Sequence, residues 1–296
     1  MTAPELNPAW PHEDAGLFRE AVNFTAAETG FAAQLVEKDY FCSVLLRQLA
    51  AAAPGLVFKG GTCLAKVHAG FYRLSEDLDF LVPAPVDASR SERRKLAAGI
   101  KSAVAGMGKA LPGLRVVTAL TGANNSTQYS AAFGYSSLLG PREETVKIEV
   151  GLCEPLLTPA VLGEARTLLL NPVSGEPMVP AVQLPCLSME EAMAEKLRAA
   201  LTRRDVAIRD FYDMDYAVGR LGFDARRPEF LQLVRKKLSM PGNEAVNVSE
   251  DRLAALRPQV DGQLKPVLRS RDLAEFDLDR AYALVSDLAA KVRTAV

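Results

Sequence analysis

An α/β fold is expected, a small mixed sheet with flanking helices followed by a helical C-terminal region, and three observations predict it. Short apolar runs bounded by Gly, Pro and Asp recur between Leu56 and Leu152. Alanine-rich stretches with apolar residues at helical intervals precede and separate them. Beyond Pro185 the pattern is almost wholly helical.

The elements follow in order. Phe31, Leu35, Tyr40 and Leu45 recur at about one turn along an alanine-rich stretch from Leu17 to Ala53, which is predicted helical, and Pro54-Gly55 ends it. Leu56-Val57-Phe58 reads as a short buried strand stopped by Gly60-Gly61. Thr62 is a good N-cap for a helix to about Phe71, and Asp77–Val82 is the next strand. A basic helix spans Asp87 to Gly113, then strands are expected at Leu114–Leu120, Gln128–Phe133 and Thr145–Leu152. Pro172, Pro177, Pro180 and Pro185 crowd a stretch that no regular element tolerates well. The main boundary is placed there, giving residues 1–170, a connection over 171–186, and a helical unit over 187–296. That unit opens on Ser188-Met189-Glu190-Glu191, a capping box in which Ser188 and Glu191 satisfy the first free amides reciprocally.

Composition narrows the function. The chain has 296 residues, 49% hydrophobic and 24% charged, enough for one large or two modest domains. A formal net charge of -1 gives no global positive field, so a nucleic-acid partner would need a local patch. Arg203, Arg204, Arg226, Arg227, Arg235, Lys236 and Lys237, and separately "SRSERRK", are the two candidates, either solvated faces or phosphate contacts. Cys42, Cys63, Cys153 and Cys186 are scattered, with only His12 and His68 to help, so zinc has poor support and buried thiols in a reducing compartment are expected. The first sixteen residues lack a basic start followed by an apolar run, and Arg47 and Pro54 interrupt the most apolar stretch, Phe41–Phe58. A soluble, cytoplasmic protein without a membrane span is expected.

Two features could carry chemistry. "GLVFKGGT", Gly55–Thr62, misses the phosphate-binding pattern G-x-x-x-x-G-K-[ST] by one residue, because Gly61 stands where the lysine belongs and Lys59 is two places early. Gly60 and Gly61 expose backbone amides, and Thr62 stands at an expected helix start where the dipole favours a phosphate. The glycines alone could equally serve a tight turn. Downstream, Asp77 and Asp79 alternate with Leu78 and Phe80, so both carboxylates share one face of a strand. In "ETVKIEVGL" the apolar face of Val146, Ile148 and Val150 leaves Glu149 on the opposite face as a third carboxylate. Carboxylates held together repel unless a cation intervenes, and three suit a two-metal phosphoryl-transfer site. By itself D-x-D is more often a solvated strand end.

Taken in order, "VEKDYFCSVLL", "KGGT", "RLSEDLDF", "VKIEV" and "MEEAMAEKLRAALTRRDVAIRDFYDMDYAV" resemble the AbiEii/AbiGii nucleotidyltransferase toxins of the polymerase-β-like superfamily. The resemblance covers roughly residues 30 to 220, and residues 221–296 match only in helical character. It implies a nucleotidyltransferase core and a metal-dependent toxin, of a toxin–antitoxin or phage-defence pair, that moves NMP from NTP to RNA, by analogy a tRNA 3′ end. The implied metals are Mg²⁺ or Mn²⁺ on Asp77, Asp79 and Glu149, with Glu149 also deprotonating the attacking hydroxyl. Lys59, Gly60, Gly61, Thr62, Lys196 and Arg209 would hold the nucleotide, and Asp210 would orient Lys196 or touch substrate. A cognate antitoxin is implied as partner. On pattern alone Lys196 lies along the packed helix stripe beside Leu197, where it snorkels or meets an anion. Two alternatives stay open: transfer of a nucleotide or phosphate to a protein hydroxyl, with Thr62 as a self-acceptor, or a non-catalytic nucleotide-binding protein of the same fold.

Overall fold

The computed structural model of the protein describes residues 10–294. The expectation drawn from the first sixteen residues rests in part on residues 1–9, which lie outside the described ones. Asp14 accepts hydrogen bonds from Gly16 and Leu17 and starts α1 (Ala15–Thr29), which Gly30 closes at φ 79°. The expected single helical stretch is therefore two helices, α1 and α2 (Ala33–Ala52), because Gly30 takes the left-handed conformation that ends a helix.

Strand β1 (Val57–Lys59) leads into a short helix α3 (Gly60–Cys63), continued by a π turn over Leu64–His68. Thr62 is not the N-cap. The helix starts two residues earlier, and the Thr62 hydroxyl donates to the Asp77 carbonyl instead. Next come β2 (Asp77–Leu81), α4 (Arg90–Ala110) with a Ser89/Glu92 capping box, β3 (Leu114–Ala123), β4 (Gln128–Ser136) and β5 (Glu143–Gly151).

Two strands were not expected, β6 (Val161–Ala165) and β7 (Val182–Cys186), the latter inside the proline-rich stretch. Leu187 N–H donates to the Phe58 carbonyl, so the nitrogen of Pro185, two residues earlier on the strand, also faces β1. There the parallel pairing is confined to Phe58 opposite Cys186, and the missing donor breaks no longer ladder. The helical half comprises α5 (Met189–Thr202), α6 (Ile208–Arg220), α7 (Pro228–Leu238), α8 (Glu250–Gln259), α9 (Ser270–Glu275) and α10 (Leu278–Thr294). Ser188 caps α5 by accepting from Glu191 N–H, but the Glu191 carboxylate does not reach back. It accepts from Leu157 and Thr158 and pairs with Lys237.

Among the described residues seven strands form one mixed sheet in the order β3-β4-β5-β2-β1-β7-β6, parallel at β5/β2 and β1/β7 and antiparallel elsewhere. Two apolar clusters flank it. Phe58, Leu78 and Phe80 project toward α1, α2 and α4, whereas Val57 and Leu81 project toward α5, α6 and α7. Since Asp77, Asp79 and Lys59 alternate with the first set, they share the face that looks toward the helical half.

Candidate active site

Register builds the site. In the β1/β2 pair Lys59 stands opposite Asp79, in β2/β5 Asp79 stands opposite Glu149, and in β5/β4 Glu149 stands opposite Ser130. The result is a row Lys59–Asp79–Glu149–Ser130 across four strands, with Asp77 opposite Lys147 one step along the same face. Leu78, Phe80, Val146, Ile148 and Val150 are buried on the other face, which fixes the orientation of the carboxylates as the alternation predicts.

The carboxylates crowd one another. Burial pushes Asp79 up to about 6, with Glu149 and Asp77 adding to the rise and Lys59 and Lys196 opposing it. Burial also raises Asp77, with Glu76 and Glu149 adding and Lys38 and Lys147 opposing. Lys147 pairs with Glu149 and is raised chiefly by that hydrogen bond. Oxygen donors crowded on one half-buried face are the arrangement that a hard divalent cation relieves.

The glycine turn is pressed against this row. Gly60 sits at φ 77°, and a Cβ there would lie 2.1 Å from Asp79 Oδ2. A Cβ on Gly61 would lie 2.7 Å from a guanidinium nitrogen of Arg73 and 3.1 Å from Ser75 Oγ. Both glycines are thus required by close approach, with a carboxylate on one side and an arginine on the other. Thr62 is 2% exposed, and with its hydroxyl given to the Asp77 carbonyl it ties the turn to the carboxylate strand. That leaves it poorly placed as a self-acceptor.

A buried network joins the turn to the helical half. Arg73, 1% exposed, grips Asp213 of α6 in a fork of 2.6 and 2.7 Å, and Tyr72 donates to the same carboxylate at 2.6 Å. Lys196 lies 2.8 Å from Asp213 and 3.1 Å from Asp210. Burial opposes the charge on Asp213, yet Arg73 and Lys196 hold its carboxyl well below the usual range. Lys196 therefore meets an anion rather than snorkelling, and the anion is the protein's own. The Lys196 charge also favours the ionised form of Asp79. Asp210 accepts a hydrogen bond from Lys196 at 3.1 Å, and its second oxygen lies 3.4 Å from Arg203. Arg209 stands farther out, 3.7 Å from Glu76, which also binds Lys38 at 3.1 Å.

A second network lies behind Lys59, which pairs with Glu195 at 2.9 Å. Burial works against the Glu195 charge, but Lys59 and Lys237 hold its carboxyl down at about 2. Lys237 is wholly buried among Glu154, Glu191 and Glu195, so it is no part of a nucleic-acid patch. Arg204, Arg226 and Arg227 of that expected patch are each paired with a carboxylate. On α4 of the other cluster, Arg93 is buried whereas Arg90, Arg94 and Lys95 are exposed.

Sequence reading gave no role to Arg73, Tyr72 or Glu195, and it set Lys237 on a charged surface patch rather than in a buried network. Arg73 stands in the quoted "RLSEDLDF", four residues ahead of Asp77, but nothing local in the pattern marks its partner 140 positions away. Among the described residues no helix is long and apolar enough to cross a membrane.

Comparisons with known proteins bear on the family and the fold. A family described as "Nucleotidyl transferase AbiEii toxin, Type IV TA system" matches residues 44–285, well past the residue 220 to which the motifs extend. Among solved structures, the chain is similar to MenT4, the nucleotidyltransferase toxin Rv2826c from Mycobacterium tuberculosis H37Rv. The TM-score is 0.59 at 20% identity, over 93% of this chain and 98% of that one. It is also similar to JHP933 from Helicobacter pylori, with a TM-score of 0.51 at 16% identity over 88% and 93% of the two chains. No curated protein matches it at a significant level. A turn of two glycines set against a carboxylate row, in a chain that the family match spans over most of its length, leads to one conclusion: this chain belongs to the AbiEii nucleotidyltransferase toxin family of type IV toxin–antitoxin systems.

Proposed function

We propose that this nucleotidyltransferase moves NMP from an NTP to an RNA in the cytoplasm, the acceptor being a tRNA 3′ end, with Mg²⁺ or Mn²⁺ as cofactor. The observation that carries the reading is Asp79 in register between Lys59 and Glu149 and in contact with Gly60.

Asp77, Asp79 and Glu149 fit a hard dication, since all are oxygen donors on one face and burial together with mutual repulsion raises Asp79 and Asp77. Once held there, the ion would neutralise charge that develops on the transferred phosphoryl group. Glu149, flanked by Lys147, would take the proton of the attacking hydroxyl. Gly60 and Gly61 would present backbone N–H groups to the phosphates, a role the Thr62 hydroxyl does not share. Lys59, Lys196 and Arg209 would set positive charge around the triphosphate, with Asp210 holding Lys196 in place. RNA phosphates would meet the exposed Arg90, Arg94 and Lys95 rather than the paired arginines of the helical half. The family implies a cognate antitoxin as the remaining partner.

The decisive assay incubates purified protein with total tRNA and each labelled NTP, with Asp79→Ala alongside. Label on RNA from the wild type alone supports the reading, and equal labelling by Asp79→Ala removes Asp79 from the mechanism. Label on protein bands and none on RNA would replace the RNA acceptor with a protein hydroxyl.

A further inference from the structure

Two of the cysteines scattered along the chain meet in space. Cys63 ends α3, His68 ends the π turn and Cys186 ends β7, and the ligand atoms of all three lie within 4.8 Å of one another. We propose that Cys63, His68 and Cys186 bind one Zn²⁺ ion, which ties the far end of the Gly60-Gly61 turn to β7.

The donor set favours this ion. Two sulfurs and an imidazole suit a borderline-soft d¹⁰ metal and are unsuited to the hard cation proposed for the carboxylate row. Zinc bonds of about 2.3 Å to sulfur and about 2.0 Å to nitrogen put the ligand atoms of a tetrahedral site roughly 3.5–4 Å apart, so closure from 4.8 Å needs shifts of about 1 Å. His68 Nε2 lies 2.9 Å from the Leu187 carbonyl. A carbonyl only accepts, so Nε2 carries the proton and Nδ1 keeps its lone pair. That carbonyl bond is also the usual support of a zinc-bound histidine.

Access and packing agree. Cys63 and Cys186 are 0% exposed, while His68 is half-buried and borders a surface groove with Met189, Phe223 and Arg227, which opens a route for the ion. Gly163 on β6 covers the site, and a Cβ there would come within 2.5 Å of Cys186 Sγ. Three protein ligands leave the fourth position to water.

The test uses the full chain, reduced and stripped with a chelator, then titrated with Co²⁺ as a spectroscopic stand-in. The expected result is a thiolate-to-cobalt charge-transfer band that saturates at one ion per chain, is abolished by Zn²⁺ and is unaffected by excess Mg²⁺. Zn²⁺ should also raise the Tm. Cys186→Ser and His68→Ala should each weaken Co²⁺ binding at least about tenfold. Cys153→Ser, at an exposed cysteine, and Asp79→Ala, in the separate carboxylate row, should leave the band intact. Absence of the band in folded wild-type protein overturns the proposal, as does an unchanged band in His68→Ala, the variant that keeps both cysteines. A Cys63–Cys186 disulfide in protein whose reduced form takes up no metal overturns it too.

Discussion

Gly60→Ala isolates the contact on which the site depends. At φ 77° an alanine takes a left-handed conformation that costs about 1–2 kcal/mol for any residue with a Cβ. Its Cβ would also stand 2.1 Å from Asp79 Oδ2 and 2.8 Å from Asp79 Cβ, so the Asp79 carboxylate must leave its rotamer, at about 0.5–1.5 kcal/mol more, and the backbone must shift to free its Cβ. Together these cost about 1.5–3.5 kcal/mol, a Tm drop of roughly 3–14 °C that a domain of ordinary stability survives. The displaced carboxylate is the one in register with Glu149, and a shift near 1 Å at such a position lowers turnover by about 10²-fold. Thermal unfolding and label transfer to tRNA are measured on the same preparation. Gly99→Ala, on an exposed face of α4 with nothing within 4 Å, is the control and should raise stability by about 0.5–1 kcal/mol. Wild-type Tm and wild-type transfer in Gly60→Ala would refute the contact between turn and carboxylate as the basis of activity.

Asp213→Asn strips the buried anion from Arg73 and Lys196 and should destabilise by about 3–5 kcal/mol, read as a lowered urea midpoint; a midpoint within error of wild type would show the network to be dispensable. Lys237→Met leaves Glu154, Glu191 and Glu195 without their common cation and should destabilise similarly while the salt dependence of RNA binding stays unchanged. A reduced salt slope would return Lys237 to the RNA surface. For pH, Asp79 binds its proton more tightly folded, at about 6, than at its ordinary 3.8. Between those values the native state holds the extra proton, so in metal-free protein stability falls as pH rises from about 4 to about 6. The Tm of the wild type minus that of Asp79→Asn should fall across that window, and saturating Mg²⁺ should flatten the fall; a difference independent of pH without metal would contradict the shift. Glu195 runs the opposite way: held at about 2 against an ordinary 4.5, it contributes stability above about pH 4.5 that is lost as pH falls toward 2. Glu195→Gln should therefore be less stable than the wild type at neutral pH and approach it in acid, as followed by circular dichroism.

Sequence alone determined whatever depends on neighbours along the chain. Alternation at a period of two put Asp77 and Asp79 on one face and Glu149 opposite Val146, Ile148 and Val150, and helical spacing put Lys196 on the packed stripe of α5. Together with the ordered motifs, this made the α/β class and the family legible. Local rules erred where two outcomes were locally equivalent. Gly30 could sit inside a helix or end one, and Pro185 could exclude a strand or face the side of β7 where pairing stops.

Only the tertiary structure decided which charges meet. Asp79 lies opposite both Lys59 and Glu149 because β2 pairs with β1 on one side and β5 on the other. Arg73 finds Asp213 140 positions away, Lys237 is buried among three carboxylates, and Cys63 and Cys186 converge on His68. Pattern fixes the face of an element on which a side chain stands, because backbone geometry is periodic. What stands across from that face depends on strand order and helix packing, which arise from burial summed over the whole chain.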